Sequence, residues 1–238
     1  MAVVPWTYNN PRTSGSNDAI RQFVFGGHLV EVLQDFSVEI DATKNTDRKL
    51  WDGAFLLARY LENTAVFPAG FWCGKQCIEL GAGCGLTGLV AWLLGVTVNL
   101  TDLPSATEHT KQCVNSNVNR LTQTDPALGE RLSAIQVKEY TWGSVSDLQF
   151  LSPPYDVILG SDIVYNAESS DSLVEAVRVL SGPSSLVLLS YKPRGLNEEV
   201  FFTKLVDSGF TINCVSPEFH PVDFVNSEYD IYRISVCI

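Results

Sequence analysis

Charge is scarce and one-sided in this chain of 238 residues: 27 Asp and Glu face 16 Lys and Arg, only 18% of residues are charged, and the formal net charge is −11. A field of that sign repels phosphate backbones and anionic lipid, so neither nucleic acid nor a membrane surface is an expected partner. A basic protein segment or a lysine-bearing surface would be attracted instead. Histidine is rarer still. His28, His109 and His220 stand at no ligand or triad spacing to cysteine or carboxylate, so no metal site and no catalytic histidine is expected. The six cysteines, Cys73, Cys77, Cys84, Cys113, Cys214 and Cys237, contain no Cys-x-x-Cys pair and lie mostly in apolar or Gly-rich runs, which reads as reduced, buried thiols. No run approaches the roughly 18 apolar residues of a membrane span. Met1 is followed by a polar stretch without an apolar signal core, and the expected location is the cytoplasm, with access to the nucleus. Asn99-Leu100-Thr101 has the glycosylation pattern but falls in an expected strand, and is discounted. No repeat of about 20 to 50 residues and no long linker is present, so a single core is expected.

What is present is apolar material: 45% of the residues are hydrophobic, enough to cover both faces of a sheet. Residues 1–49 divide into a leader, expected to be flexible over Pro5 to Ala19, and a hairpin in which Gln22–Phe25 and His28–Val32 flank Gly26-Gly27. The domain proper is expected over 50–238. Its first element is a helix from Trp51 to Glu62, with Asp47 as a cap and Trp51, Phe55 and Ala58 on successive turns. Strands are expected at Cys77–Leu80, Val96–Thr101, Ala134–Val137, Asp156–Gly160 and Ser185–Ser190, with helices between most of them. That alternation demands long parallel connections, so the fold class is α/β: a doubly wound, mostly parallel, Rossmann-like sheet with an N-terminal β-hairpin elaboration. After a helix at Glu198–Asp207, the runs Phe210–Val215 and Asp230–Val236 are expected to pair antiparallel at one edge.

The chemistry concentrates where the first of these strands ends. Glu79-Leu80-Gly81-Ala82-Gly83-Cys84-Gly85-Leu86-Thr87-Gly88 carries a strand into a glycine-rich turn and then a helix, Leu86 to Leu94. Such a turn lets a ligand lie against bare backbone while the helix start offers unpaired N–H groups. The next strand ends at Asp102, where a carboxylate can accept from both hydroxyls of a ribose. Gly83 to Gly88 also matches the dinucleotide pattern Gly-x-Gly-x-x-Gly, so a nucleotide-dependent oxidoreductase stays open. Glu79, two residues before Gly81, and the lack of a second nucleotide-binding half favour a cofactor without pyrophosphate.

Four separated features, Leu50-Trp51-Asp52, the Glu79 to Gly88 loop with Thr101-Asp102-Leu103-Pro104, Thr141-Trp142-Gly143, and Gly160-Ser161-Asp162-Ile163-Val164-Tyr165, occur in this order. From about Leu50 onward the chain resembles the seven-strand class I methyltransferases, and within them the family 16 protein lysine methyltransferases. The resemblance implies S-adenosyl-L-methionine as cofactor and, as partner, a protein presenting a lysine, such as an elongation factor or chaperone. It implies that Trp51 borders the cofactor, that Gly81, Ala82 and Gly83 approach its methionine part with Glu79 at the loop's base, that Asp102 binds ribose, and that Trp142 and Ser161 lie near its adenine and sulfonium ends. Asp162 and Tyr165 match the family's acidic-x-x-aromatic motif: the first would accept from the incoming amine, the second would wall the channel. An exposed indole after a strand would also serve as a stacking platform for a flat base. Capping and packing remain alternative readings of Asp162, Tyr165 and the two tryptophans. Lys192-Pro193-Arg194 and Cys84 depart from the family pattern. Substrate choice is expected to reside in residues 1–49 and Pro217 to Tyr229. A monomer is expected, and a small-molecule or amino-terminal methyltransferase, or a cofactor-binding protein without catalysis, remains an alternative.

Overall fold

The computed structural model describes residues 15–36, 48–224 and 227–237. Most of the expected leader and the proposed cap Asp47 lie outside the described residues. Alternating Ile20–Phe25 (β1) and His28–Leu33 (β2) pair antiparallel, with Phe25 opposite His28 across a two-residue turn. The inward face of β1 puts Phe23 against Phe55, ring centroids 4.8 Å apart, so the hairpin shares the main core. The outer edge of β2 is also satisfied. The Asn117 side chain accepts from the Glu31 N–H at 2.8 Å and donates to its carbonyl at 2.6 Å, as a neighbouring strand would.

Helix α1 (Asp52–Leu61) buries Phe55 and Ala58 of the expected stripe, whereas Trp51 precedes the first turn and is half-buried. Seven strands follow with intervening helices: β3 (Gln76–Leu80), α2 (Leu86–Leu93), β4 (Thr97–Asp102), α3 (Pro104–Thr124), α4 (Pro126–Gly129), β5 (Ile135–Glu139), β6 (Tyr155–Ser161), α5 (Ser170–Leu180), β7 (Ser181–Tyr191), α6 (Val200–Asp207), β8 (Phe210–Cys214) and β9 (Asp230–Val236). Their order across the sheet is β5-β4-β3-β6-β7-β9-β8. The pairs among β5, β4, β3, β6 and β7 are parallel, and β9 runs antiparallel to both its neighbours. β3 is buried over four of its five residues, as a strand covered on both faces must be. The expected doubly wound sheet, hairpin and antiparallel edge are all present.

Several element ends and the thiols need correction: β5 begins at Ile135 and not at Ala134, α6 at Val200 and not at Glu198, and α2 ends at Leu93 and not at Leu94. The strand expected from Val96 begins at Thr97, because the Val96 N–H is spent on the Ala91 carbonyl in ending α2. The thiols are not uniformly buried: Cys77, Cys84 and Cys113 are, whereas Cys73, Cys214 and Cys237 are exposed. Cys214 lies on β8, the edge strand, where apolar neighbours in sequence do not guarantee cover. Asn99 is within β4 and its amide donates to the Tyr155 hydroxyl. Among the described residues, no helix is long and apolar enough to cross a membrane.

In strand order β3 stands between β4 and β6. β4 continues the chain to one side and β6 begins its return on the other, so the sheet changes direction between β3 and β6. The carboxyl ends of strands at such a switch point are where doubly wound sheets receive ligands.

Candidate active site

The turn after β3 is tight because its backbone demands it. Gly81 has φ +62°, and a Cβ there would stand 2.7 Å from Ile163 Cγ2 and 3.4 Å from Trp142. The same bare position therefore receives two residues from distant segments, the indole that follows β5 and the isoleucine that follows Asp162. Gly85 has φ +74° and caps α2 with no side chain of its own. The cap comes from below instead: Glu79, inside β3, accepts the Gly88 N–H at 2.9 Å. Thr101 Oγ1 ties the Glu79 carbonyl at 2.6 Å, and Thr110 Oγ1 ties that of Gly83 at 2.7 Å. The loop is held from both flanks.

Glu79 is wholly buried, and its Oε1 has no partner among the described residues. Burial pushes its carboxyl up to about 8, against the pull of the Gly88 N–H and Thr87. A carboxyl raised in the folded state above its unfolded value stabilises the fold fully below the unfolded value near 4.5, and that contribution drains away as pH rises through 8. Glu79→Gln keeps the cap and removes the titration. In thermal melts without ligand, the melting temperature of the variant rises relative to that of the native chain between pH 5 and pH 9. A constant difference across that range would show that Glu79 is ionised throughout.

Asp102 ends β4. Its Oδ2 accepts the Gly83 N–H at 2.7 Å and its Oδ1 the Leu103 N–H at 2.8 Å, so the carboxylate is pinned at the mouth of the loop and only half-buried. Ala82 is buried, its N–H bonded to the Thr101 carbonyl. Gly81, Gly83 and Trp142 are half-buried around it. Tyr165, 43% exposed, has its hydroxyl pushed up by burial and by the charge of Asp102, which links the two strand ends electrostatically.

The second group gathers at the ends of β6 and β7. Ser161 is the last residue of β6, and Asp162 follows with φ +56°, a left-handed conformation that a non-glycine residue adopts at a cost. Its N–H bonds the Ser190 carbonyl at 3.1 Å. Its carboxylate is 3% exposed, accepts the Gly53 N–H at 2.9 Å, and pairs with Arg194 at 3.0 Å. Ser190 Oγ donates to the Gly53 carbonyl at 2.8 Å, closing the junction of α1, β6 and β7. Burial raises the Asp162 carboxyl, and Arg194 and the Gly53 N–H oppose that rise. Trp51, at the start of α1, carries Arg194 over its ring at 5.2 Å and Lys49 at 5.7 Å.

All ten residues singled out in the sequence thus fall on the carboxyl edge of β3, β4 and β6 or on segments folded against it, with Glu79 beneath rather than on the exposed side. Gly53, Ser190 and Arg194 are additions. Arg194 had a signal, a cation in a Pro-Arg-Gly turn after a strand; the other two had none. Histidine also needs correction. His109, unremarkable by spacing to Cys84, lies 3.7 Å from its sulfur and 3.6 Å from that of Cys113. Helical spacing of four between His109 and Cys113 was the available signal. A hydrogen bond from Cys84, together with His109, holds the Cys113 thiol below its ordinary range. Among the described residues, no group of His, Cys, Asp and Glu could hold a metal ion.

This arrangement has relatives. Residues 33–208 match the family model described as lysine methyltransferase. The protein N-lysine methyltransferase METTL21A of Danio rerio is 35% identical over 206 residues, 86% of each chain. EEF1A lysine methyltransferase 3 of Mus musculus is 33% identical over 190 residues, 79% of this chain and 73% of that one. Among solved structures, a TehB-like S-adenosylmethionine-dependent methyltransferase from Corynebacterium glutamicum aligns with a TM-score of 0.53 at 16% identity, over 76% of this chain and 86% of that one. The last likeness concerns the fold. The sequence match over most of the chain, laid on a glycine-loop cradle and an acidic-x-x-aromatic edge, fixes the family: the chain belongs to the lysine methyltransferases, enzymes that take their methyl group from S-adenosylmethionine.

Proposed function

We propose that this enzyme methylates the ε-amine of a lysine on a non-histone protein, with an elongation factor as the first candidate and a chaperone as the second. The observation that carries the reading is the convergence of two built edges at the carboxyl end of the parallel strands, the Gly81 loop with Asp102 and the buried Asp162 with Tyr165 beside it. The similar mouse protein is named EEF1A lysine methyltransferase 3, which supports the elongation factor as the first substrate to try. The net charge of −11 favours a basic protein segment over nucleic acid.

The residues present fit the cofactor. A bare-backbone turn at Gly81, bordered by Ile163 and Trp142, and a half-buried carboxylate held at its mouth by two N–H groups are what a nucleoside with a short zwitterionic tail requires. Asp102 would hold the ribose, Gly81 to Gly83 the methionine part, and Trp142 and Ser161 the adenine and sulfonium ends, with Trp51 at the border. When bound, S-adenosylmethionine supplies a methyl group already activated on a sulfonium, so no metal or covalent nucleophile is required of the protein. The task of the chain is to present the amine neutral and in line. Removing a proton from lysine at pH 7 costs about 4.6 kcal/mol from its reference value of about 10.4. Desolvation against Tyr165 and Trp51 lowers that cost. Asp162 orients the amine through the acceptor position that each of its oxygens keeps after bonding Gly53 and Arg194.

Residues 1–49, proposed as an elaboration on a domain spanning 50–238, and Pro217 to Tyr229 choose the acceptor. Free thiols, three of them exposed, suit a reducing compartment, and we place the enzyme in the cytoplasm with access to the nucleus, acting as a monomer. The test is methyl-tritiated S-adenosylmethionine with a cell extract, separated into low-mass and protein pools. Label in a protein band that hydrolyses to methyllysine is expected; label confined to small molecules, or in terminal amines, would refute the assignment.

A further inference from the structure

We infer that Arg194 is a positioning residue of the methyl transfer: it neutralises Asp162, so that this carboxylate receives the lysine amine as a neutral hydrogen-bond donor instead of trapping it as ammonium. The inference rests on the placement of the amine at Asp162 given above. A lone carboxylate beside the acceptor would work against the reaction, since an opposite charge within about 4–6 Å favours the charged form of an amine by roughly one to three pKa units. Arg194 stands 3.0 Å from Asp162 and removes that bias.

The pair is built, not incidental. The guanidinium also lies over Trp51 at 5.2 Å, so one face is covered by an indole while its fork meets the carboxylate. The backbone that carries it is clamped by Glu198, which is wholly buried and accepts the N–H groups of Arg194, Gly195 at 3.1 Å and Leu196 at 2.6 Å, with the Tyr191 hydroxyl at 3.2 Å. Around Asp162 the other charged and titratable groups are few. Asp52 at the start of α1 adds a second negative charge, Lys49 stands over Trp51 at 5.7 Å, Arg21 faces Asp52, and Tyr165 follows on the same loop with Asp102 beyond it. β7 meets Asp162 through the neutral Ser190, whose carbonyl accepts the Asp162 N–H. Of these groups only Arg194 bonds the carboxylate directly.

The test compares the native chain, Arg194→Gln and Arg194→Lys. Its first arm needs no acceptor: carboxyl carbon NMR of Asp162, assigned by its loss in Asp162→Asn, gives a higher titration midpoint in Arg194→Gln. An unmoved midpoint overturns the inference whatever the substrate. The second arm follows kcat against pH with tritiated S-adenosylmethionine and the protein band that the native chain labels. In Arg194→Gln the acid limb moves up by about one unit or more, so kcat at pH 7 falls about tenfold and recovers above pH 9, while KM for the acceptor at pH 7 does not rise. Arg194→Lys keeps the limb near its native position. Parallel profiles, with loss uniform over pH, would leave Arg194 a structural tether and refute the inference. A native chain that labels no lysine would remove the underlying placement of the amine, a failure the NMR arm separates from that of the pair.

Discussion

Asp162→Ala is expected to lower methyl transfer by about 100-fold or more at saturating cofactor and acceptor, while the affinity for S-adenosylmethionine changes little. The size follows from geometry. Displacing a reacting group by about 1 Å costs on the order of 100-fold, and this carboxylate fixes two segments at once: the start of α1 through Gly53 and the loop that carries Arg194. Stability falls too. Alanine is less comfortable than Asp at φ +56°, by about 1 kcal/mol, and Arg194 loses its partner, a loss that solvent softens because that side chain is 26% exposed. Asp162→Asn separates the parts. Asparagine tolerates the left-handed backbone and still accepts from Gly53, so its melting temperature lies near the native one, while its turnover still falls more than about tenfold because an NH2 donor replaces the oxygen that faces Arg194 and can no longer accept from the amine. Single-turnover rates and melts on both variants check this, and full turnover in either would exclude Asp162 from the reaction.

Asp102→Ala is expected to weaken S-adenosylmethionine by about 100-fold in calorimetric titration. Two ribose hydroxyls donating to a carboxylate are charge-assisted bonds of about 1.5–3 kcal/mol each, and even their lower bound sums to about 3 kcal/mol, close to a factor of 100. A second loss adds to the first. Without Asp102 Oδ2 the Gly83 N–H loses its acceptor, and the loop that should hold the methionine part relaxes. Melting temperature should move less than affinity, because Asp102 is half-buried at the sheet edge, outside the core. An unchanged dissociation constant would mean that the nucleoside lies elsewhere.

The glycine-loop edge was legible in the sequence for a physical reason: its parts are local. A glycine turn, the helix it opens and an acid at the end of the next strand are spaced by one parallel connection, and the backbone needs of Gly81 and Gly85 are written in residue type. The hairpin was legible for the same reason, since two alternating runs about Gly26-Gly27 leave one register, Phe25 opposite His28. What was not legible is convergence. Arg194 and Asp162 are 32 positions apart and meet because β6 and β7 are neighbours that end together. Gly53 lies 109 positions from the carboxylate it caps. Cys84 and His109 meet because α3 crosses the glycine loop, which no spacing rule anticipates. Exposure of Cys214 follows from β8 being the last strand of the sheet, a property of strand order and not of its own residues.

The most direct test of lysine transfer through this edge is mass-spectrometric peptide mapping of elongation factor 1A and of extract proteins after incubation with S-adenosylmethionine and either the native chain or Asp162→Ala. The account predicts a methyl mass increment on one lysine with the native chain and its near disappearance with the variant. A methyl group on a terminal amine or a low-mass product, or a lysine methylated equally by both chains, would contradict it.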